Sequence, residues 1–132
     1  MDRDLHEPQP FDPAQSVAPH LPPDPSGAPG VVLLVTASAA REHEWAERAA
    51  VSLVSGWAEH GRRILLADFA LAGTGLHRAL EVENGEGVSD AFLFGSSVKR
   101  VARPVQDGRF LFVPAGTATA RPDVVATSDR WH

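Results

Sequence analysis

The sequence predicts an α/β domain built on a mostly parallel sheet of about three strands. Two apolar runs, VVLLVT (31–36) and ILLA (64–67), are rich in leucine and β-branched residues, which is typical of parallel strands covered on both faces. Residues 42–60 between them repeat apolar side chains at helical spacing. Because a crossover of this length joins parallel strands with a right-handed connection, we expect a strand–helix–strand unit. RFLFVPAG (109–116) is predicted to add a third strand.

The first 30 residues are predicted to form a disordered, acidic, proline-rich tail that lies outside this domain. Eight of the 11 prolines precede Gly30, and the segment has no apolar periodicity that could build a buried face. Its five acidic residues against Arg3 alone give a net charge of −4, out of −5 for the whole chain. The predicted domain, residues 31–132, is therefore nearly neutral.

Charge and composition also exclude several classes of partner. An acidic tail and a nearly neutral domain lack the basic surface that nucleic-acid and anionic-membrane binders need. The absence of cysteine excludes disulfides and thiolate chemistry. No run reaches the length of a membrane span, about 18 apolar residues, and the start of the chain lacks the pattern of a signal peptide. We therefore expect a cytoplasmic protein that binds no nucleic acid and does not insert into a membrane.

The helix predicted over 42–60 has end signals that agree with its periodicity. Glu42 and Glu44 lie at the positive end of the helix dipole, and Gly61 is placed to end the helix. Trp57 lies on the apolar face, about three turns from the first tryptophan of the helix. We expect this face in the core or at an interface.

The remaining predicted elements are short and are separated by turns. They are a helical turn at 76–80 within a glycine-rich surface excursion (73–87), helices over VSDAFLF (88–94) and SSVKRVA (96–102), and a helix after Pro122. Gly95 is expected to break the two helices, and Ser96 or Ser97 to cap the second one. QDG (106–108) is expected to turn the chain into the third strand.

The bend before the long helix lies where many α/β proteins bind a phosphate, but its residues do not suit one. Such a loop needs glycines, a lysine for the phosphates and a hydroxyl for magnesium. Arg41 and His43 resist the left-handed backbone angles of such a loop. Glu44 stands where the lysine is needed, and its repulsion of a phosphate charge is roughly 4 kcal/mol at about 4 Å and an effective dielectric of about 20. Trp45 replaces the hydroxyl, so we expect no bound nucleotide.

Four segments resemble a known family. VVLLVTASA, GRRILLADFALAGTGLHRAL, EGVSDAFLFGSSVKRVARPV and RFLFVPAGT are similar, in order and spacing, to the MinD/ParA-type P-loop ATPases. The resemblance is strongest to their bacterial tyrosine-kinase branch, of the CpsD/CapB kind, which serves exopolysaccharide synthesis and export. It covers about residues 31–131 and implies a partial P-loop NTPase-like (Rossmann-like) three-layer domain.

The resemblance also implies what has happened to the nucleotide site. Arg41 and His43 stand at the loop glycines, Glu44 at the lysine and Trp45 at the hydroxyl residue. Of the two aspartates that end the second strand in the family, only Asp68 remains. The strand that carries the Walker B aspartate lies beyond the present C-terminus, and the chain has no tyrosine for autophosphorylation. We therefore expect no catalytic residue, no cofactor and no metal.

Two strand edges are expected to lie open. In the family the Walker B strand separates the strands that correspond to 31–36 and 64–68, so its loss leaves unpaired hydrogen-bonding groups on both. Either the two strands close up directly, or another chain supplies the missing strand. The predicted partner is accordingly a protein, or a second copy bound through the open edges.

Asp68 is the strongest remaining candidate for function, because ligands of α/β sheets gather at strand ends. A structural role as an acceptor of loop hydrogen bonds is the alternative. His77 and Arg78 are expected to pack at the surface, and none of the six histidines has metal-ligand spacing. A triad of Ser38, His43 and Asp68 lacks the nucleophile elbow that such chemistry needs.

Three functional hypotheses follow. The leading one is a non-catalytic relative of these ATPases that acts by protein interaction or regulation in exopolysaccharide export, in the cytoplasm and peripheral to a membrane complex. The second is an ATP- and magnesium-binding ATPase or tyrosine-kinase-like enzyme with a reassigned site, in which Arg41, Arg62 or Arg63 binds phosphate. The third is a gene remnant without activity.

Overall fold

A computed structural model describes residues 30–36, 44–71, 75–117 and 122–131. The predicted tail lies outside these residues except for Gly30. The loop positions Arg41 and His43 also lie outside them, so the predictions made for them remain predictions.

The described elements follow the predicted order, except that the predicted strand over 31–36 is missing and that a strand and a 3-10 turn are added. They are helix α1 (Trp45–Glu59), strand β1 (Leu65–Ala67), helices α2 (Leu76–Ala79), α3 (Val88–Phe94) and α4 (Val98–Val101), strands β2 (Arg103–Val105) and β3 (Phe110–Val113), helix α5 (Pro122–Ala126) and a 3-10 turn (Asp129–Trp131). All the predicted helices are present. Strand β2 was not predicted.

The sheet has three strands in the order β1-β3-β2. β1 pairs with β3 in parallel, and β2 pairs with β3 antiparallel. The prediction of an α/β fold is confirmed, but only one of the two strand pairs is parallel. The reason is the QDG turn, in which Gln106, Asp107 and Gly108 all have positive φ and close a hairpin. Pro104 is tolerated in β2 because β2 is an edge strand.

The prediction of a buried parallel strand over 31–36 is wrong. These residues are not part of the sheet of the described chain, and Val31 and Leu33 are 98% and 80% exposed. The two predicted strands therefore do not close up on each other: β1 pairs with β3 on one side and with no described strand on the other. Apolar composition favours a strand only where a neighbouring strand and a covering layer exist.

Helix α1 covers one face of the sheet, as its periodicity predicted. Val54 and Trp57 pack with Leu66, Phe110 and Phe112 in the main core, which assigns Trp57 to the core and not to an interface. The helix ends as expected, because Gly61 has φ 83° and its N–H donates to the carbonyl of residue 58 at 3.0 Å.

The opposite face of the sheet is only half covered. Val113 of β3 packs with Val88 of α3 and Val101 of α4 in a second cluster, so these helices form the third layer. Leu65 and Leu111 are paired neighbours in the sheet, yet they remain 47% and 45% exposed. An apolar strip of the sheet is thus left open beside the second cluster.

Helices α3 and α4 meet at the predicted break. Gly95 ends α3 with φ 74°, and Ser97, one of the two predicted caps, accepts a hydrogen bond from the Arg100 N–H at 3.2 Å. Among the described residues, none of the helices combines the length and the apolar character needed to cross a bilayer.

Candidate functional site

Asp68 lies directly after β1, at the C-terminal edge of the parallel strand pair. Its backbone N–H donates to the Val113 carbonyl at 3.0 Å and extends the β1–β3 ladder by one residue. The side chain is buried, with 2% of the residue exposed. Oδ1 accepts a hydrogen bond from the Ala70 N–H at 3.0 Å, but Oδ2 has no partner among the described residues. Within the described chain, Asp68 thus accepts loop hydrogen bonds through only one of its two carboxylate oxygens.

Two further titratable side chains face Asp68 from neighbouring helices. Glu47 lies in the first turn of α1, and His77 lies in α2; both charges act on the Asp68 carboxyl. Within the described chain, Glu47 Oε2 and His77 Nδ1 are also buried without a hydrogen-bond partner. Gly75 makes room for this arrangement, because a Cβ there would lie 2.9 Å from Glu47 Cγ. We call Glu47, Asp68 and His77 the polar cluster.

The environment of the polar cluster favours the protonated form of Asp68. Burial raises the pKa of the Asp68 carboxyl, and the hydrogen bond from Ala70 and the nearby His77 offset this only in part. The charge of Glu47 acts in the same direction as burial. A buried site with two acidic groups accommodates a proton more readily than it accommodates a further anion.

The start of α1 holds a carboxylate at the position that the resemblance assigns to the lysine. Glu44 precedes the helix with φ 58°, and its Oε1 lies 3.1 Å from Nε of Arg78 on α2. Glu44 was expected to stabilise the helix dipole, but its side chain makes no capping hydrogen bond. Trp45 begins the helix half-buried, and Glu47 is the acidic residue of the first turn.

The two residues of α2 that were expected at the surface differ in their environment. Arg78 is exposed and pairs with Glu44, and both side chains are largely in water, so this ion pair adds little stability. His77 is half-buried and acts on Asp68 within the polar cluster. The sequence offered one signal for this position, since neighbouring residues on a helix are about 100° apart, so His77 and Arg78 lie on different faces of α2.

A second group of polar residues joins α3 to the end of β3, and sequence analysis missed it. The Asn84 amide exchanges two hydrogen bonds of 3.1 Å with the backbone of Gly116. Asp90 Oδ2 accepts from the N–H groups of Gly87 at 2.8 Å and Thr117 at 3.1 Å, and its Oδ1 accepts from the Thr117 hydroxyl at 2.9 Å. We call Asn84, Gly87, Asp90, Gly116 and Thr117 the joint.

The geometry of the joint indicates a structural role. Gly87 approaches the backbone so closely that a Cβ would lie 2.0 Å from the Pro114 carbonyl oxygen. Burial opposes ionisation of Asp90, but the hydrogen bonds from Gly87 and Thr117 outweigh it and lower the pKa of its carboxyl. An acidic residue at the third position of α3 is part of the capping-box pattern, which is the signal that could have identified Asp90.

Two observations on the described residues bear on metal and phosphate binding. Within the described ranges, no set of three histidine, aspartate or glutamate side chains is arranged to hold a metal ion. The arginines named as alternative phosphate ligands, Arg62 and Arg63, lie between α1 and β1, at the N-terminal end of that strand. They are therefore at the opposite end of β1 from Asp68.

Comparison with known proteins gives matches in structure only. No protein-family model matches the sequence, and no curated protein matches it. The kinase domain of the Escherichia coli tyrosine kinase ETK superposes with a TM-score of 0.58 at 20% identity, over 63% of this chain and 32% of that one. The chimerical protein CapA2B2 gives 0.57 at 20% identity, over 63% and 37%. The BceF tyrosine kinase domain gives 0.54 at 25% identity, over 64% and 33%.

These matches agree with the resemblance that the four sequence segments indicated. The chain spans about a third of the length of the solved structures, with shares of 32%, 37% and 33%. Identity at this level establishes the fold alone. Over the part that it spans, the chain therefore shares the fold of these bacterial tyrosine kinase domains.

Proposed function

We propose that this chain is a non-catalytic relative of the CpsD/MinD/ParA-type ATPases that acts by protein interaction. The observation that carries the proposal is the acidic character of the place where a phosphate would bind. Glu44 and Glu47 lie at the start of α1, and buried Asp68 lies at the end of β1 beside Glu47. The glycine, lysine and hydroxyl positions of a phosphate loop are filled by residues that cannot replace them.

The magnitudes of the opposing effects support this proposal. A helix N-terminus attracts an anion by about 0.3–1 kcal/mol when exposed, and by about 2 kcal/mol in favourable geometry. One carboxylate about 4 Å from a phosphate charge repels it by roughly 4 kcal/mol at an effective dielectric of about 20. Arg78 pairs with Glu44 and offsets part of its charge, but Glu47 adds a second carboxylate in the first turn of the helix. Repulsion therefore exceeds the attraction that the helix can supply.

Exposed apolar surface supports the interaction part of the proposal. Val31–Val35 are exposed along the whole run, and Leu65 and Leu111 leave a strip of the sheet uncovered. The outer edge of β1 pairs with no other described strand. A strand supplied by a protein partner or by a second copy would bury this surface and satisfy the edge.

The biological setting is proposed by analogy with the family. A protein of this fold without a phosphate loop would act as a regulator or scaffold in exopolysaccharide synthesis and export, beside an intact kinase at a membrane complex. The fold shared with the tyrosine kinase domains of ETK and BceF supports that setting.

Thermal melting with nucleotide tests the loss of the nucleotide site. The full chain is melted with and without millimolar Mg·ATP or Mg·ADP, against sodium chloride of equal ionic strength. A ligand at about 100 times its Kd would stabilise the protein by about 2.7 kcal/mol, a large shift in Tm for a domain of this size. We expect no shift. A saturable shift that disappears in an Asp68→Ala variant would support the enzyme hypothesis and refute ours.

A further inference from the structure

Three aromatic side chains from distant parts of the chain meet beside the C-terminal edge of the sheet. Phe69 follows β1, Phe92 lies in α3, and Trp131 ends the 3-10 turn. The rings of Phe69 and Trp131 stack at 5.7 Å with an interplanar angle of 17°. Phe92 lies 4.8 Å from Trp131 and 6.4 Å from Phe69. We call these three residues the aromatic cluster.

The aromatic cluster packs against the second core cluster on one side and is exposed to solvent on the other. Phe92 packs against the second core cluster, and the Trp131 indole N–H donates to the Val125 carbonyl at 2.7 Å, which fixes the orientation of the indole. Phe69 and Trp131 nevertheless remain 45% and 53% exposed. A grouped and oriented aromatic surface that stays in water is the kind of surface that binds a partner.

The chemistry of such a surface suits proline. Proline-rich segments adopt the polyproline II conformation, and domains that bind them present grooves lined by aromatic rings. Residues 1–29 of this chain hold eight of its 11 prolines. The sequence therefore carries a suitable occupant on the same chain as the aromatic cluster.

Because segment 1–29 is covalently linked to the rest of the chain, even a weak contact with the aromatic cluster would be populated. An extended polyproline II segment of 29 residues would span about 90 Å at about 3.1 Å per residue, which is longer than the diameter of a domain this small. A tethered segment has an effective concentration on the order of millimolar at its target. A proline–aromatic contact of only millimolar affinity would then be substantially populated.

We expect electrostatic attraction to contribute less to the contact between segment 1–29 and the aromatic cluster than the aromatic rings do. Arg130 adjoins the aromatic cluster, and its guanidinium lies close enough to Gly95 that a Cβ there would be 2.6 Å from Nη1. No carboxylate of the described residues pairs with it within 4.0 Å. The acidic segment could supply one, but Asp123 and Asp129 lie in the same terminal segment and offset the attraction. We therefore expect the contact to depend weakly on salt.

We propose that the proline-rich segment 1–29 docks on the aromatic cluster of its own chain. The contact covers the exposed faces of Phe69 and Trp131. A protein partner that binds the aromatic cluster would have to displace the segment first, so the segment acts as a built-in competitor.

Paramagnetic broadening in the full chain tests this proposal. Because the chain has no cysteine, a Ser16→Cys substitution gives a single attachment point for a nitroxide in the middle of the segment. Trp45, Trp57 and Trp131 are the three tryptophans and report through their indole N–H signals. We expect the oxidised label to remove the Trp131 signal while the Trp57 signal of the core persists. Equal broadening of all three signals, or none, overturns the proposal.

Two variants of the segment identify the cause of the contact without disturbing the folded residues. Replacing Pro22, Pro23 and Pro25 together by alanine should restore the Trp131 signal. The matched control, Asp12→Asn with Asp24→Asn, keeps every proline and should leave the signal broadened. Recovery in the control alone would show a charge contact and refute proline stacking.

A mixed sample separates docking within one chain from docking between chains. Isotope-labelled chain without the nitroxide is combined with unlabelled chain that carries it. We expect the Trp131 signal to persist in this mixture. Its loss there would show that the segment belongs to a second copy, which contradicts the proposal.

Discussion

At the scale of single residues, Asp68 and Asp90 are both buried aspartates, but their surroundings shift their pKa values in opposite directions. Asp68 accepts one hydrogen bond and faces Glu47, and its pKa is raised by burial. Asp90 is buried too, but three hydrogen bonds from Gly87 and Thr117 stabilise its charge and lower its pKa. The balance between burial, which opposes ionisation, and the donors that reach each carboxylate decides the direction.

The raised pKa of Asp68 predicts that Asp68→Asn stabilises the protein as the pH increases. The folded chain holds the Asp68 proton more tightly than the unfolded chain does, so stability is lost as the pH rises through the folded pKa. Asparagine keeps the shape and removes the charge. We expect a gain of about 1–3 kcal/mol at pH 8, the usual cost of an unsatisfied buried group, and little gain at pH 4.

Urea denaturation at pH 4, 6 and 8 measures this difference. Asp107→Asn is the matched control, because Asp107 is exposed and lies in a turn that asparagine tolerates. A gain from Asp68→Asn that does not change with pH would contradict a role for the ionised carboxyl.

The joint predicts a large loss for Asp90→Ala and a small one for Thr117→Val. Asp90→Ala removes an ionised acceptor of three hydrogen bonds and leaves the buried Gly87 N–H without a partner. We expect a loss of at least about 1.5–3 kcal/mol, the range for one hydrogen bond to a charged group. Thr117→Val removes only a hydroxyl at an exposed residue and should cost about 0.5–1.5 kcal/mol. Equal losses in denaturant unfolding would contradict this account of Asp90.

At the scale of elements, two apolar runs of similar composition adopt different structures, since one forms a strand and the other does not. FLFV in β3 is bordered by β1 and β2 and covered by α1 on one face. VVLLV at 31–35 has no strand neighbour in the described chain and is exposed to solvent. Both runs are composed of large apolar residues, so their tertiary neighbours decide which of them becomes a strand.

This difference predicts unequal costs for truncating leucines in the two regions. Leu66→Ala in β1 should cost about 2–5 kcal/mol, because Leu66 lies in the main core. Leu33→Ala should cost less than about 0.5 kcal/mol, because Leu33 is 80% exposed. Both are measured by chemical denaturation. A large loss from Leu33→Ala would restore the prediction of a buried strand at 31–36.

At the scale of the whole molecule, the sheet is covered completely on one face and half on the other. Leu65 and Leu111 form the exposed strip, and the outer edge of β1 pairs with no strand in the described part of the chain. A twisted sheet with an open apolar face and a free edge is prone to pair with another chain. The proposed interaction role thus has a defined surface on the molecule.

If a second copy uses this surface, the molar mass should rise with concentration in the micromolar range. Light scattering of the full chain measures this, and Leu111→Lys should return the protein to a monomer by placing a charge on the strip. Val124→Lys is the matched control, because Val124 is exposed on α5 and lies outside the sheet. A wild-type chain that remains monomeric throughout would exclude association between copies and leave a different protein as the partner.

The sequence by itself predicted the helices, the end of α1 at Gly61, the cap at Ser97 and the turn at QDG. These features depend on residues within one or two turns of each other, so periodicity and local chemistry are sufficient to predict them. Only the tertiary structure decided that β1 pairs with β3, that 31–36 stays out of the sheet, and that Glu47 and His77 face Asp68. Strand pairing and buried charge depend on groups far apart in the chain, and their energies are set by what finally surrounds them.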